Sequence, residues 1–368
     1  MANGKNSITP GQLMFLVIQT QIGIGVLYLP SEVHDVANGD AWISVLISGL
    51  FVQFFVVIIW LLSRRFPSAN LYDYLPRLLG KLLGTIFHLA YILFFIIEGS
   101  FILARYGNVI EDWLLMETPR WIIIGLMCIV CWYLVQENLR TIARFFVFTS
   151  ILILLLIVIT SFTYSVHVNF LYIFPIGSEG WLNIFKGSNE AMPSLVGYEL
   201  LLLCYPYTQG RSVEKLKAVS IATAFSSLFY VFLVFTSLVM FSPEQMKLLP
   251  QPVLYMVKAL SFTLIERPDI YFISIWSLMA ATSIMSYMFM AAKGISHLYK
   301  RQEKYRKAVV YTVIFFFIIA LIPQEEQMIK TFGKISTIVG YVFIFVIPLF
   351  LLGISIITHK KEAGRISG

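Results

Sequence analysis

At 368 residues, 58% of them hydrophobic and only 13% charged, with a mean hydropathy of +0.81, the chain is an integral membrane protein, since soluble domains carry about a quarter charged residues. The net charge of +7 comes from Lys and Arg placed between apolar runs rather than gathered on one face, which excludes a nucleic-acid surface. Cys128, Cys131 and Cys204 lie in apolar runs with no second Cys pair or nearby histidine. They read as small buried residues, and no metal or cofactor is expected.

Ten apolar spans follow, at about 11–34, 41–63, 83–110, 120–136, 143–164, 188–206, 217–241, 269–297, 307–323 and 335–358. Most approach the roughly 20 residues that cross a bilayer core of about 30 Å. Lys5 is the only early charge and no small-residue cleavage site follows it, so no cleavable signal peptide is expected. Span one opens on a capping pattern: Thr9 as cap, Pro10 at the first helical position and Gln12 completing the box. Its body, LMFLVIQTQIGIGVLYLP from Leu13 to Pro30, then places Gln19, Thr20 and Gln21 beside Gly23-Ile24-Gly25 at mid-depth. Hydrocarbon offers the backbone no partners. The polar centre therefore reads as a discontinuous helix whose freed groups face a binding cavity; the competing reading is a close crossing of small residues against another helix. A break at 22–25 leaves the first N–H groups of an outer half, beginning near Val26, at the positive end of a helix dipole, a place for a carboxylate or another electronegative ligand group.

In span three Glu98 lies near the centre and Arg105 near the outer end, seven residues on. Ionisable groups at such depth are rare. Arg105 is expected to snorkel or to pair with Glu111 or Asp112, and Glu98 is a candidate for an ion or proton pathway. Span six, NEAMPSLVGYELLLLCYP, is interrupted at Pro193 and Gly197, with Ser194, Tyr198 and Glu199 around them. Proline removes a donor and kinks a helix, so a simple kink competes with a true break. Glu199, just past it, is the second pathway candidate. The stretch 244–266, split by Pro250 and Pro252 and carrying Lys247, Lys258 and Glu266, reads as an outer interfacial helix. Lys293 and His297 read as anchors at the inner end of span eight.

With both termini inside, the cytoplasmic segments hold 18 of the 27 basic residues, Lys5, Arg64, Arg65, Arg140, Lys300, Arg301, Lys304 and Arg365 among them; seven lie opposite, which fixes the orientation. Spans one to five (11–164) and six to ten (188–358) form two blocks of similar length within a single transmembrane domain, 1–368. An odd number of spans per block inverts the second relative to the first. Such repeats place an interrupted helix first in each half, which matches spans one and six.

Gly23-Ile24-Gly25 resembles the glycine signature of the amino acid–polyamine–organocation (APC) superfamily. The opening SITPGQLMFLVIQTQIGIGVLYLP, the loop RRFPSANLYDYLPRLLGK and the segment PSLVGYELLLLCYPY narrow the resemblance to the spore permease family, the B subunits of nutrient germinant receptors of endospore-forming bacteria. It extends over essentially the whole chain. It implies an all-α, five-plus-five inverted repeat with discontinuous helices 1 and 6, like that of the neurotransmitter:sodium symporters, and a sensor working with A and C subunits in the spore inner membrane. The family fold lines the cavity with spans three and eight as well. That adds Tyr91, Phe94, Glu98 and Ile102, one face of span three, and Thr282, Ser283 and Ser286 to a ligand-binding set of Thr20, Gln21, Gly23, Ile24, Gly25, Ser194, Gly197 and Tyr198. The hydroxyls equally suit interhelical hydrogen bonding. Proton-coupled superfamily members carry a lysine on span five, which this chain lacks. Carbonyls near Gly23 with Thr282 and Ser283 leave room for a sodium-like site.

Three functions are therefore weighed. One is a receptor subunit that binds a small nutrient, an amino acid or a sugar, and signals germination through partner subunits or an ion path. The second is a secondary amino acid transporter working by alternating access. The third, an enzyme, lacks a metal set, a nucleophile–base pair or a phosphate loop.

Overall fold

The structure, a computed structural model, describes residues 7–166, 168–260, 266–299 and 305–362. Lys5, Lys300, Arg301, Lys304 and Arg365 of the charge count, and residues 261–265 of the interfacial stretch, lie outside the described residues. Among the described residues the regular structure is helical, apart from one isolated bridge between Ile8 and Thr208.

Span one is two helices, α1 (Pro10–Gln21) and α2 (Gly25–Ala37). The capping box forms as expected: Thr9 Oγ1 accepts from Gln12 N–H at 3.2 Å, and Gln12 Oε1 accepts from Thr9 N–H at 3.0 Å. Span two is α3 (Ala41–Arg65). The basic loop after it, read from sequence only as a loop, folds into a short amphipathic helix, α4 (Leu71–Leu79), capped by Asn70 and burying Leu71, Tyr72, Tyr74, Leu75 and Leu78. Span three is α5 (Lys81–Trp113), longer than the sequence limits of 83–110, and span four is α6 (Arg120–Val135). Span five divides at Ser150 into α7 (Leu139–Thr149) and α8 (Ile151–Ser161).

Span six is the most fragmented: α9 (Gly180–Ala191), 3-10 turns over Met192–Leu195 and Tyr198–Leu200, then α10 (Leu201–Cys204). Span seven is α11 (Ser212–Met240). The stretch from 244 is two short helices rather than one, α12 (Pro243–Leu248) and α13 (Pro252–Lys258), because Pro250 and Pro252 fall at their junction; α13 buries Val253, Leu254, Met256 and Val257. Spans eight and nine are α14 (Pro268–Leu298) and α15 (Tyr305–Ala320). Span ten joins α16 (Glu326–Gly340) to α17 (Ile347–Ile357) through a π-turn over Tyr341–Val346, an irregularity frequent at functional sites.

Among the described residues six stretches are long and apolar enough to cross a membrane, one of which, Gly25–Arg65, contains both α2 and α3. Of the remaining expected spans, one and six are broken, α6 has 16 residues, and α15 has 16 among the described residues. In the core, α5 packs along α14, and α11 along α3 and α1. The two broken helices thus lie among long continuous ones.

Candidate ligand site at two helix breaks

The α1 helix ends because Ile22 turns to φ −86°, ψ 91°, and α2 resumes at Gly25. The carbonyls of Gln19, Thr20, Gln21 and Gly23 find donors on neighbouring helices. Trp276 Nε1 donates to Gly23 O at 3.0 Å, the Tyr230 hydroxyl to Gln21 O at 2.7 Å, and Ser283 Oγ to Thr20 O at 2.8 Å. Thr282 Oγ1 donates to Gln19 Oε1 at 2.8 Å, and the Gln19 amide donates to Ser150 Oγ at 3.1 Å where span five divides. Thr20 shares a 2.7 Å hydrogen bond with Ser286.

The geometry bears on two expectations. The N–H groups of Val26 and Leu27 are not free for a carboxylate: they close tight turns onto Gly23 O (3.3 Å) and Ile24 O (3.1 Å). The hydroxyls of Thr282 and Ser283 donate to Gln19 Oε1 and Thr20 O, so they brace the joint. The small-residue crossing and the broken helix also prove to be one feature. A Cβ on Gly23 would lie 2.5 Å from Ser283 Oγ, and one on Gly25 would lie 2.6 Å from Ser194 Oγ and 2.8 Å from the Tyr230 hydroxyl. Real Cβ atoms do not approach that closely, so the glycines permit the crossing that holds the break.

The break in span six faces the first one. Gly197 adopts φ +123°, a conformation that glycine alone takes readily. A Cβ there would meet Thr20 Cγ2 at 2.8 Å and Gln21 Cγ at 3.1 Å. Gln21 spans the gap, donating through Nε2 to Leu195 O at 2.6 Å. Beyond the break Glu199 turns back on its own turn: Gly197 N–H donates to Oε2 at 2.6 Å and the Tyr287 hydroxyl to Oε1 at 2.8 Å. Tyr198 is fully buried.

Tyr91, Phe94 and Glu98 share a face of α5, but that face meets the π-turn of span ten. Tyr91 donates to Phe343 O at 3.1 Å, Phe94 stacks on Phe343 with centroids 5.1 Å apart, and a Cβ on Gly340 would lie 3.2 Å from Glu98 Oε1. Ile102, one turn beyond Glu98, is an apolar core residue, and Ile24 caps α2 from the edge of the core. Tyr287 joins the two groups, since its hydroxyl bonds Glu199 and lies within electrostatic reach of Glu98.

Arg105 does not pair with Glu111 or Asp112. Its buried guanidinium lies 3.3 Å from Glu32 on α2 and 3.7 Å from Glu326 on α16, over the Tyr28 ring at 4.2 Å. Position 105 faces the bundle, so partners on other helices are nearer than those on its own. At the other end of the bundle His297 pairs with Asp73 at 2.8 Å, and Lys293 stands over the Tyr305 ring at 4.6 Å rather than serving as a free anchor.

Residues 7–329 match the family described as spore germination protein, the spore permeases. The chain belongs to that family. It is 26% identical to spore germination protein GerQB of Bacillus cereus, over 92% of this chain and 93% of the relative. It is 25% identical to spore germination protein YndE of Bacillus subtilis, over 96% and 98%. In structure it resembles MhsT, solved in complex with L-phenylalanine, at a TM-score of 0.73, with 97% of this chain and 90% of that one covered and 14% sequence identity. At that identity the likeness is one of fold, a five-plus-five inverted repeat with discontinuous helices 1 and 6.

Within this spore permease, sequence reasoning missed the residues that close the break from outside it: Trp276, Tyr230 and Tyr287. Each is an aromatic in an apolar helix, with no local sign that its polar atom reaches a distant carbonyl or carboxylate. The π-turn of span ten was equally hidden, Gly340 being its sole sequence mark.

Proposed function

We propose that this chain is the nutrient-sensing B subunit of a spore germinant receptor, binding an amino acid or a sugar where the two broken helices meet and signalling through A and C subunits or an ion path. The observation that supports this most is the seating of Gly197 against Thr20 and Gln21: two interruptions far apart in sequence adjoin at mid-bundle, where discontinuous helices of such folds bind ligands. A bundle held by a few hydrogen bonds at one joint is suited to two discrete packings, which a ligand shifts by binding one better than the other. On this reading the repeats are 11–164 and 188–358, both termini are cytoplasmic, the membrane is the spore inner membrane, and the chain is not an enzyme. Glu98 and Glu199 mark an ion or proton path.

The test is ligand-induced thermal stabilisation of the purified receptor complex across candidate nutrients, since a native-state binder raises apparent stability. Gly25→Leu, which drives a side chain into Ser194 and Tyr230, should abolish the response; a normal response would place the pocket elsewhere. A second reading, secondary transport, draws on the fold shared with MhsT. Concentrative uptake by the chain reconstituted without partner subunits would favour transport and overturn a role in sensing alone.

A further inference from the structure

The loop between spans five and six departs from the polar composition that exposed loops ordinarily have. No charged residue occurs from 168 to 178. Phe170, Leu171, Phe174 and Ile176 are all about half exposed or more, Leu171 at 73%, while Ile173 between them is buried and anchors the segment. The backbone of the loop is firmly held. Asn169 N–H donates to Val239 O at 2.7 Å and Leu171 N–H to Asn169 Oδ1 at 3.0 Å. The buried Asp40 carboxylate accepts from Gly177 N–H at 2.8 Å and from Glu179 N–H at 3.4 Å. The apolar side chains are thus presented on a fixed frame.

Span two gives the depth of this loop. Arg64 and Arg65 end α3 at the inner surface, and about 20 residues of helix cross the hydrocarbon, which puts the outer hydrocarbon boundary near Ser44. Ser44 Oγ donates to Ile184 O at 2.9 Å, so Ile184 on α9 lies at the same level. The loop is seated on Gly39 and Asp40, further out by about 6 Å at 1.5 Å per residue; a Cβ on Gly39 would lie 3.1 Å from Tyr172 O. Headgroups and water occupy that layer, beyond the end of the acyl chains. Tyr and Trp suit it because their rings carry a polar atom. Phe, Leu and Ile do not, so Leu171, Phe174 and Ile176 are left without an apolar cover.

We propose that this loop is a docking surface for a protein domain outside the membrane, one that meets it with a charge-poor apolar face and belongs to another subunit of the receptor. The patch has the anatomy of an interface: an aromatic and aliphatic centre without charge, with Asn169, Ser178 and Glu179 at its polar edges. A fixed backbone lowers the ordering cost of association. The assignment rests on the receptor reading and on cytoplasmic termini, and it adds where the partner sits.

The test uses the full-length chain expressed with the other subunits of its receptor. With p-benzoylphenylalanine in place of Leu171 or of Phe174, illumination should join the chain covalently to another subunit. Leu171→Lys combined with Ile176→Lys should lower the recovery of the other subunits with the chain about tenfold or more. The chain purified alone should keep its melting temperature, since both side chains are exposed. Adducts with lipid alone would make the patch a membrane anchor and overturn the docking assignment. The absence of any adduct overturns it too, as does full recovery of the other subunits with both lysines in place. The photoreactive chain decides even if the double variant fails to fold. If no other subunit is recovered with the wild-type chain, the receptor reading falls and the docking assignment with it, which tells that failure apart from the loss of this one contact.

Discussion

The break in span one and the break in span six lie against each other, yet their freed backbone groups are satisfied in opposite ways. Span one is closed from outside: Trp276 and Ser283 from span eight and Tyr230 from span seven donate to carbonyls near its break. Span six has one donor at its break, Gly197 N–H, taken from within by a carboxylate two residues past it, while Gln21 of span one reaches across to the Leu195 carbonyl. The first arrangement ties three helices at one point and resists relative movement. The second depends on one titratable side chain held by one tyrosine, and it is the easier of the two to release. A ligand that engages Glu199 or its neighbours would act on the weaker closure while the stronger keeps the bundle in register.

The largest effect should come where both breaks are hit together. Gly197→Ala puts an alanine at φ +123° and drives its Cβ to within 2.8 Å of Thr20. Strain at such a position costs about 1–3 kcal/mol, and overpacking a close crossing costs a similar amount. Thermal unfolding in detergent should show the variant strongly destabilised or absent from the membrane fraction; near wild-type stability would mean that the two breaks do not press on each other.

Trp276→Phe comes next. It removes one of two donors to the buried Gly23 O, Val26 N–H being the other, a loss of about 0.5–1.5 kcal/mol. Tyr230→Phe, which uncaps Gln21 O, should fall in the same range. Glu199→Gln keeps an acceptor for Gly197 N–H and should cost less than either. That ordering, read from melting temperatures of the three variants, is the sharpest check on the contrast between external and internal closure. A Glu199→Gln penalty larger than that of Trp276→Phe would invert it.

Both interruptions were legible in the sequence because they break a strong rule: glycines and amides do not belong at the centre of a spanning helix without cause. Pro193, Gly197 and the QTQIGIG run carry that signal themselves. The closure of the breaks was not legible, since it depends on long-range contacts such as Trp276 with Gly23, 253 positions apart. Val26 and Leu27 N–H leave the expected carboxylate seat for a related reason. Helical geometry guarantees that N-terminal N–H groups lack a partner within the regular ladder, but it does not say whether a tight turn or a nearby side chain will take them. Arg105 repeats the point: its depth was evident, but its partners Glu32 and Glu326 follow from packing.

The smallest effect belongs far from the breaks, where the segment after span ten is strapped to the loop after span two. Glu362 accepts from the backbone N–H of Ser68 at 2.9 Å and from its hydroxyl, and lies 3.6 Å from Arg77; Lys360 Nζ donates to Arg77 O at 3.1 Å. Partial burial pulls the Glu362 carboxyl upward, but the Ser68 hydrogen bonds and the Arg77 charge outweigh it and hold the group below the ordinary value of 4.5. Asp73, which caps α4 and pairs with His297, is likewise held below 3.8, its hydrogen bonds offsetting burial. A carboxyl whose folded pKa is depressed adds stability that is present above its unfolded value and is lost as the pH falls through the folded one. The strap should therefore be intact at neutral pH and weaken only as the pH drops below about 4.5. Glu362→Gln should lower stability at pH 7 by no more than about 1 kcal/mol, because the pair is largely solvent-screened. The difference between variant and wild type should vanish in acid. A melting series from pH 7 to pH 3 that shows a constant gap would mean that Glu362 acts through packing instead of charge, and that the segment after span ten is held to the loop after span two by something other than this strap.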